Sequence, residues 1–350
     1  MFFKILTRDE KAERALPNYY SILDDKRSAK YLAAKKTPMP DGLSGSTEEL
    51  LERHAKTMAV LRKSSFEPKH IEAMKMPKVS LLDLKLELAR RFFKACNYCE
   101  RLCGTDRTEK TGVCGVTESR VSSEFLHYGE EPELVPSYTI FFAGCTFKCV
   151  FCQNWDISQN PEGGVKISPE KMAKMVERQV GRAKNTNWVG GDPTSNLKYI
   201  LEVLSLCNGN IPQVWNSNMY LTESTMEILD GVIDVYLTDF KYGPDDCGKR
   251  LSKVDSYWDI ATRNHKLANE QTEIIIRHLV LPNHLKCCTE PILKWIADNL
   301  DNSRVRVNLM DQYHPDYNAY EHDDLTRPLE LSEFVHAVAY GRDLGLNIVT

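Results

Sequence analysis

Residues 141–155 read Phe-Phe-Ala-Gly-Cys-Thr-Phe-Lys-Cys-Val-Phe-Cys-Gln-Asn-Trp and place Cys145, Cys149 and Cys152 in a C-x3-C-x2-C pattern. Three close thiolates are soft ligands that suit an iron–sulfur cluster or zinc. A cubane cluster takes four ligands, so three thiolates with no nearby fourth leave one iron open to a substrate or cofactor. An apolar run at 138–143 leads into the loop, and Gly144 permits a sharp exit. The thiols are therefore expected just past the end of a strand. A zinc knuckle or three unrelated thiols are the plainer alternatives.

A second cysteine group precedes the first. Cys96, Cys99, Cys103 and Cys114 are spaced C-x2-C-x3-C-x10-C, with Gly104, Gly112 and Gly115 among them. The glycines allow tight turns in which backbone amides face sulfur. Four ligands would close a coordination shell, as in structural zinc or a saturated iron–sulfur site. The spacing leaves the metal open, with an auxiliary Fe–S cluster slightly favoured. Of the other cysteines, Cys207 reads as core, and nothing in the spacing of Cys247, Cys287 and Cys288 marks them as ligands. The chain has 11 cysteines, an odd number in short-spaced groups, which in a reducing cytosol points to metal ligation rather than disulfides.

The three-cysteine loop resembles that of the radical S-adenosylmethionine (SAM) superfamily. The resemblance covers the chain from Phe92 onward. It implies a [4Fe–4S] cluster on Cys145, Cys149 and Cys152, with SAM chelating the fourth iron. One electron then cleaves SAM to a 5′-deoxyadenosyl radical, chemistry that belongs to such cofactors. Further resemblances follow along the chain. Gly190-Gly191-Asp192-Pro193 is similar to the family's Gly-Gly-Glu-Pro motif, with Asp in place of Glu. Its two glycines would let backbone approach the SAM amine. Trp215-Asn216-Ser217-Asn218 and Asp239-Phe240-Lys241 resemble strand ends of the pyruvate formate-lyase activating enzymes. That match puts Ser217, Asn218, Asp239 and Lys241 beside SAM or substrate, with a small cation at Asp239 as a further implication. Asp239 and Lys241 can also simply pair with each other.

Arg277 is a charge inside an apolar strand and needs an anionic or carbonyl partner; the resemblance offers the SAM carboxylate. His278 alternates to the other face and reads as structural. His314, in Tyr313-His314-Pro315, matches a family histidine near the adenosine.

These residues need elements to hold them. Apolar, β-branched or aromatic runs at 138–143, 186–189, 212–216, 233–240, 272–281 and 305–310 read as strands, separated by helical segments. Ser168-Pro169-Glu170 starts one helix, with Met172, Met175, Val176 and Val180 at helical spacing. Leu197, Ile200, Leu201 and Leu204 mark the next, and Gly231 closes a short one containing Met226 and Leu229. Alternating strands and helices predict a parallel sheet with right-handed crossovers. Six units predict an α/β fold, a partial (β/α)6 TIM-like barrel. A helix at 332–344 and an edge strand at 346–349 follow. The chemistry would gather at the C-terminal strand ends.

Residues 1–95 read as a helical N-terminal extension, a wrapper along one edge of the barrel. It holds helices after an N-cap at Ser46 or Thr47 and over 81–93. Residues 96–134 form the cysteine-rich metal-binding segment and 135–350 the radical SAM partial-barrel domain.

The 350 residues are 42% hydrophobic and 27% charged, with a formal net charge of −4 and a pI near 6.2. No basic bias supports nucleic-acid binding. No apolar run approaches the roughly eighteen residues of a membrane span, and the apolar start of the chain is too short for a signal peptide. A cytoplasmic enzyme is expected. It would take a protein or peptide substrate and an electron from a donor such as flavodoxin or ferredoxin. The expected outcome is glycyl-radical activation or side-chain modification. A cobalamin-dependent C-methyltransferase is the alternative, although the Asp-x-His-x-x-Gly cobalamin motif is absent. A non-catalytic metal-binding scaffold is the alternative of another class.

Overall fold

All six predicted apolar runs form parallel strands, joined by one antiparallel strand that the pattern did not suggest. In chain order the strands are β1 (Val121–His127), β2 (Ser137–Phe142), β3 (Asn185–Gly190), β4 (Gln213–Ser217), β5 (Val235–Asp239), β6 (Glu273–Leu279), β7 (Val305–Met310) and β8 (Ile348–Val349). The computed structural model describes residues 9–350. The apolar start of the chain and the first eight residues of the expected extension lie outside the described residues. The strands line up as β1 to β8 in sequence order. β1 runs antiparallel to β2, and every later pair is parallel. Sequential parallel order requires a crossover between each pair, and crossovers of one hand roll such a sheet into a curve. β1 escaped the sequence reading because its Val-Ser-Ser-Glu-Phe-Leu-His run is half polar and carries a register shift near Val121.

The two edges do not pair, so the barrel is partial. Side chains close the gap instead. Between β1 and β2, Glu131 accepts from Asn308 Nδ2 on β7 at 2.9 Å, and Glu133 pairs with Arg306 of the same strand.

Strand alternation divides the sheet into an outer and an inner face. Outward, Phe142 stacks on Trp188 at 6.2 Å and meets Tyr199 of the helix Leu197–Leu206 edge-on. Inward, Val214, Val235, Leu237 and Ile275 have no exposed surface and pack with Ala12, Ala15, Leu16, Tyr19 and Leu134. The first two helices, Glu10–Ala15 and Pro17–Leu23, thus form a floor under the inner face. The first turn of the second helix donates its amides from Asn18 and Tyr19 to the Glu273 carboxylate at 2.5 and 2.9 Å. A carboxylate placed there complements the positive helix end.

Later in the chain, helix Leu81–Lys94 packs between Thr47–Leu61 and Leu197–Leu206. Helices Thr47–Leu61 and Leu81–Lys94 each begin with a capping box, Ser46 with Glu49 and Ser80 with Asp83, and this arrangement satisfies two orphan amides at each start. Lys85 is fully buried and donates to the Asp230 and Glu227 carbonyls at 2.7 and 3.3 Å, at the end of helix Glu223–Leu229. Its ammonium caps a negative helix end. Among the described residues no helix is long and apolar enough to cross a membrane.

Candidate active site

The three-cysteine loop leaves β2 at its C-terminal end, as expected. Gly144 has φ +86°, and a β-carbon there would stand 2.3 Å from Val116 Cγ2 and 3.0 Å from the Cys114 carbonyl oxygen. Only glycine fits this turn. Phe147 anchors the loop, its buried ring edge-on to Tyr220 and Tyr257 at 5.5 and 5.9 Å. Backbone bonds from Lys148 and Val150 to the Ser252 and Leu251 carbonyls, 3.1 and 2.9 Å, lay it along the end of helix Cys247–Ser252.

Each thiol meets a polar neighbour. The Phe147 amide donates to Cys145 Sγ at 3.3 Å, Ser252 Oγ donates to Cys149 Sγ at 2.9 Å, and Cys152 Sγ lies 3.2 Å from Ser158 Oγ. Burial pushes Cys145 well up. It also pushes Cys149 up to about 11, although the Lys241 ammonium opposes the rise.

The Gly-Gly-Asp-Pro turn ends β3 beside this loop. A β-carbon on Gly190, at φ +124°, would fall 2.2 Å from the Phe142 amide nitrogen, and one on Gly191 would fall 2.2 Å from the Gly144 carbonyl oxygen. The glycines are thus required by backbone meeting backbone at the root of the cysteine loop, a closer constraint than ligand approach. Gly191→Ala should push the loop out of place. Iron retained after anaerobic reconstitution should fall severalfold while far-UV circular dichroism stays unchanged; full iron retention would refute this.

Pro193 begins a single 3-10 turn capped by Asp192. Asp192 Oδ1 accepts from the Thr194 amide at 2.9 Å; Oδ2 accepts from the Asn218 amide at 3.1 Å and Ser217 Oγ at 3.3 Å. Burial raises the Asp192 pKa. Asn218 Nδ2 donates to Thr146 Oγ1 at 2.9 Å. Asp192, Ser217 and Asn218 are therefore brought together, bonded to one another and to the cysteine loop.

A second polar group lies on the inner face. Asp239 Oδ1 accepts from Arg277 Nε and Nη2 at 2.9 and 2.8 Å, and Oδ2 accepts from Lys241 Nζ at 2.8 Å. Burial would raise Asp239, but Arg277 and Lys241 outweigh it and hold the carboxyl at about 2. Arg277 also bonds to Asn216 Oδ1 and lies 3.5 Å from Glu130 Oε2. Its expected anionic partner is thus found within the chain, and the Asp239 oxygens are occupied by cationic side chains. Asn187 Nδ2 and His127 Nδ1 each stand 3.2 Å from Glu130 Oε1. The sequence reading passed over Glu130, Glu131, His127 and Asn187. The arginines in apolar strands were the available signal, since each had to find an acid.

His278 lies on the outer face, 2.7 Å from the Phe240 carbonyl and 2.9 Å from Thr289 Oγ1. His314 is exposed, in the segment after β7. That segment touches the cysteine loop through Gln153 Nε2 to the Gln312 carbonyl at 3.0 Å and a Trp155–Tyr317 stack at 5.5 Å.

The four-cysteine segment docks on the same loop. Arg101 Nε donates to the Thr146 carbonyl at 3.1 Å, and the Glu100 amide to the Tyr220 carbonyl at 3.1 Å. The Val113 amide faces Cys103 Sγ at 3.4 Å. Burial raises Cys96 and Cys99, and the neighbouring cysteines raise Cys99 further. Unexpectedly, Asp245, Cys247, Cys287 and Cys288 also converge, with ligand atoms all within 4.8 Å of one another.

A cysteine loop at the mouth of a partial barrel defines a class: the chain carries a radical SAM domain, and the model of the radical SAM superfamily matches residues 139–296. Such a domain implies a [4Fe–4S] cluster and SAM as cofactors. The chain is 47% identical over 340 residues to the uncharacterized protein MJ0674 of Methanocaldococcus jannaschii, covering 95% of this chain and 99% of the relative. It is 23% identical over 234 residues to MJ0808 of the same organism, covering 65% and 66%. Among solved structures, SuiB of Streptococcus suis bound to S-adenosylmethionine aligns with a TM-score of 0.45 and 17% identity, over 59% of this chain and 48% of SuiB.

Proposed function

We propose that Cys145, Cys149 and Cys152 hold the [4Fe–4S] cluster, and that the enzyme abstracts a hydrogen atom from a protein or peptide substrate at the barrel mouth. The observation that carries this is the placement of three thiols, Cys145 and Cys149 buried and Cys152 half-buried, each beside an N–H or O–H group, on one loop at the C-terminal end of β2. Such neighbours suit cluster-bound sulfur. Burial makes Cys145 and Cys149 resist ionisation alone, and iron ligation is what would make them thiolates. When bound, the cluster supplies the electron that cleaves SAM to the 5′-deoxyadenosyl radical.

The chain's own residues orient and exclude. Asp192, Ser217 and Asn218 brace Thr146 within the cysteine loop. Gly190, Gly191 and Pro193 shape the adjoining turn. Asp239, Lys241 and Arg277 form the charged wall below Cys149, where Lys241 favours anionic sulfur. These residues and His314 are the proposed surroundings of SAM. The exposed Trp155–Tyr317 stack beside the loop offers an aromatic shelf for a peptide chain, and this supports a macromolecular substrate.

Cys96, Cys99, Cys103 and Cys114 are proposed to hold an auxiliary Fe–S cluster. Among the described residues, only the Asp245 group draws three or more ligand atoms within 4.8 Å. The Val113 amide facing Cys103 Sγ at 3.4 Å supports a metal-bound sulfur there.

The test is reduction of the anaerobically reconstituted protein with dithionite in the presence of SAM. Release of 5′-deoxyadenosine is expected. A fully loaded cluster that leaves SAM intact would defeat the proposal. Mass spectrometry of co-expressed partners, seeking cleavage at glycine on air exposure or a changed side-chain mass, then identifies the outcome.

A further inference from the structure

We propose that Asp245, Cys247, Cys287 and Cys288 form a zinc site at the barrel rim, separate from both iron–sulfur ligand sets. Cys287 Sγ and Cys288 Sγ are 3.8 Å apart, and Cys247 Sγ is 3.2 Å from Asp245 Oδ2. Zinc binds thiolate at about 2.3 Å and carboxylate at about 2.0–2.2 Å. Tetrahedral ligands then stand roughly 3.5–3.8 Å from each other. All four ligand atoms lie within 4.8 Å of one another, so small side-chain rotations suffice to close the shell. A polynuclear cluster spreads its thiolates further, because each binds a different metal atom. Three sulfurs and one hard oxygen match zinc's borderline-soft preference.

The backbone is built to bring the group together. Cys247 opens the helix that follows β5, and the two vicinal cysteines lie in a single widened helical turn, Leu285–Thr289, after β6. Such turns recur at functional sites. A β-carbon on Gly243 would fall 1.9 Å from the Cys287 carbonyl oxygen; glycine alone lets the two loops meet. Arg250 supplies a positive charge to an electron-rich centre. Its Nη2 lies 3.7 Å from Cys247 Sγ, 2.7 Å from Asp324 Oδ2 and 3.1 Å from His284 Nε2.

The site would also position the radical SAM loop. Zinc would fix the start of helix Cys247–Ser252, whose last residue donates to Cys149 Sγ and accepts from the Lys148 amide. Tyr242, in the loop carrying Asp245, reinforces that end through its hydroxyl, 2.5 Å from Ser252 Oγ.

The test is zinc and iron analysis of the full chain, purified anaerobically without chelators from zinc-supplemented cells. Wild type should carry about one zinc per chain. Cys287→Ser/Cys288→Ser should lose most of it, and Cys99→Ser should keep it. Absence of zinc from wild type, or equal zinc in the double variant, would overturn the proposal. Should the double variant fail to fold, zinc K-edge absorption of wild type decides. Three sulfurs at about 2.3 Å and one oxygen at about 2.0 Å support the site; four sulfurs, or a disulfide among these cysteines in native peptide mapping, refute it. Metal content is read independently of SAM cleavage, so this test can fail while the proposed activity stands.

Discussion

Cys149→Ala should fold, lose the iron of one cluster and release no 5′-deoxyadenosine. Cys149 is the middle thiol of the loop. Its removal takes one of three thiolates from the proposed cluster and strips Ser252 Oγ of its acceptor, while Lys241 keeps Asp239. Iron should fall by about four atoms per chain, with nucleoside release dropping to background. Ser252→Ala tests the supporting bond alone, worth roughly 1 kcal/mol, and should keep the iron. Iron assay and chromatography of the quenched reaction check both. Full iron with undiminished cleavage in Cys149→Ala would remove Cys149 from the ligand set.

The second large effect is on stability. Arg277→Met removes the cation that Asp239 and Glu130 share on the inner face. Breaking a fully buried pair from one side costs about 3–5 kcal/mol; here the two side chains keep 16% and 20% of their surface exposed and Asp239 keeps Lys241, so a loss of about 2 kcal/mol is expected. Urea unfolding at neutral pH should show a loss of that size. The acid limb should change too. Arg277 and Lys241 hold Asp239 at about 2 against the pull of burial, whereas an unfolded aspartate titrates near about 3.9. A depressed carboxyl stabilises the fold above its unfolded pKa and loses that contribution as pH falls through its folded pKa. About 2 kcal/mol is therefore lost between about pH 4 and 2 in wild type, and less in the variant. A variant with unchanged stability and an unchanged acid limb would show that the pair is not a structural element.

What the sequence revealed divides by distance along the chain. The cysteine loop was legible because its three thiols lie within eight residues, and strand periodicity placed it at the end of β2. Asp239 and Arg277 were legible as charges at strand positions, but their pairing was not, since 38 residues separate them. Glu130, Glu131 and Glu133 belong to no motif in the sequence; their role emerges only when the curled sheet carries β6 and β7 back to them. Cys247, Cys287 and Cys288 escaped for the same reason, because two separate loops must meet before the thiols do. Gly190 and Gly191 stand out in the sequence as places for ligand approach; the contact the structure shows at both is neighbouring backbone. Helices Thr47–Leu61 and Leu81–Lys94 fall where the N-cap signals and apolar spacing of the extension place helices. Helices Glu10–Ala15 and Pro17–Leu23 have short apolar faces that give no sign that they sit beneath the inner strands.

That underlying pair of helices makes the barrel a blind tube. With Leu16 and Tyr19 buried at its lower end, the exposed aromatic pair beside the cysteine loop is Trp155 and Tyr317 on the opposite rim. On the proposed function, a peptide strand seated on that rim would itself be the cork that keeps solvent from a radical.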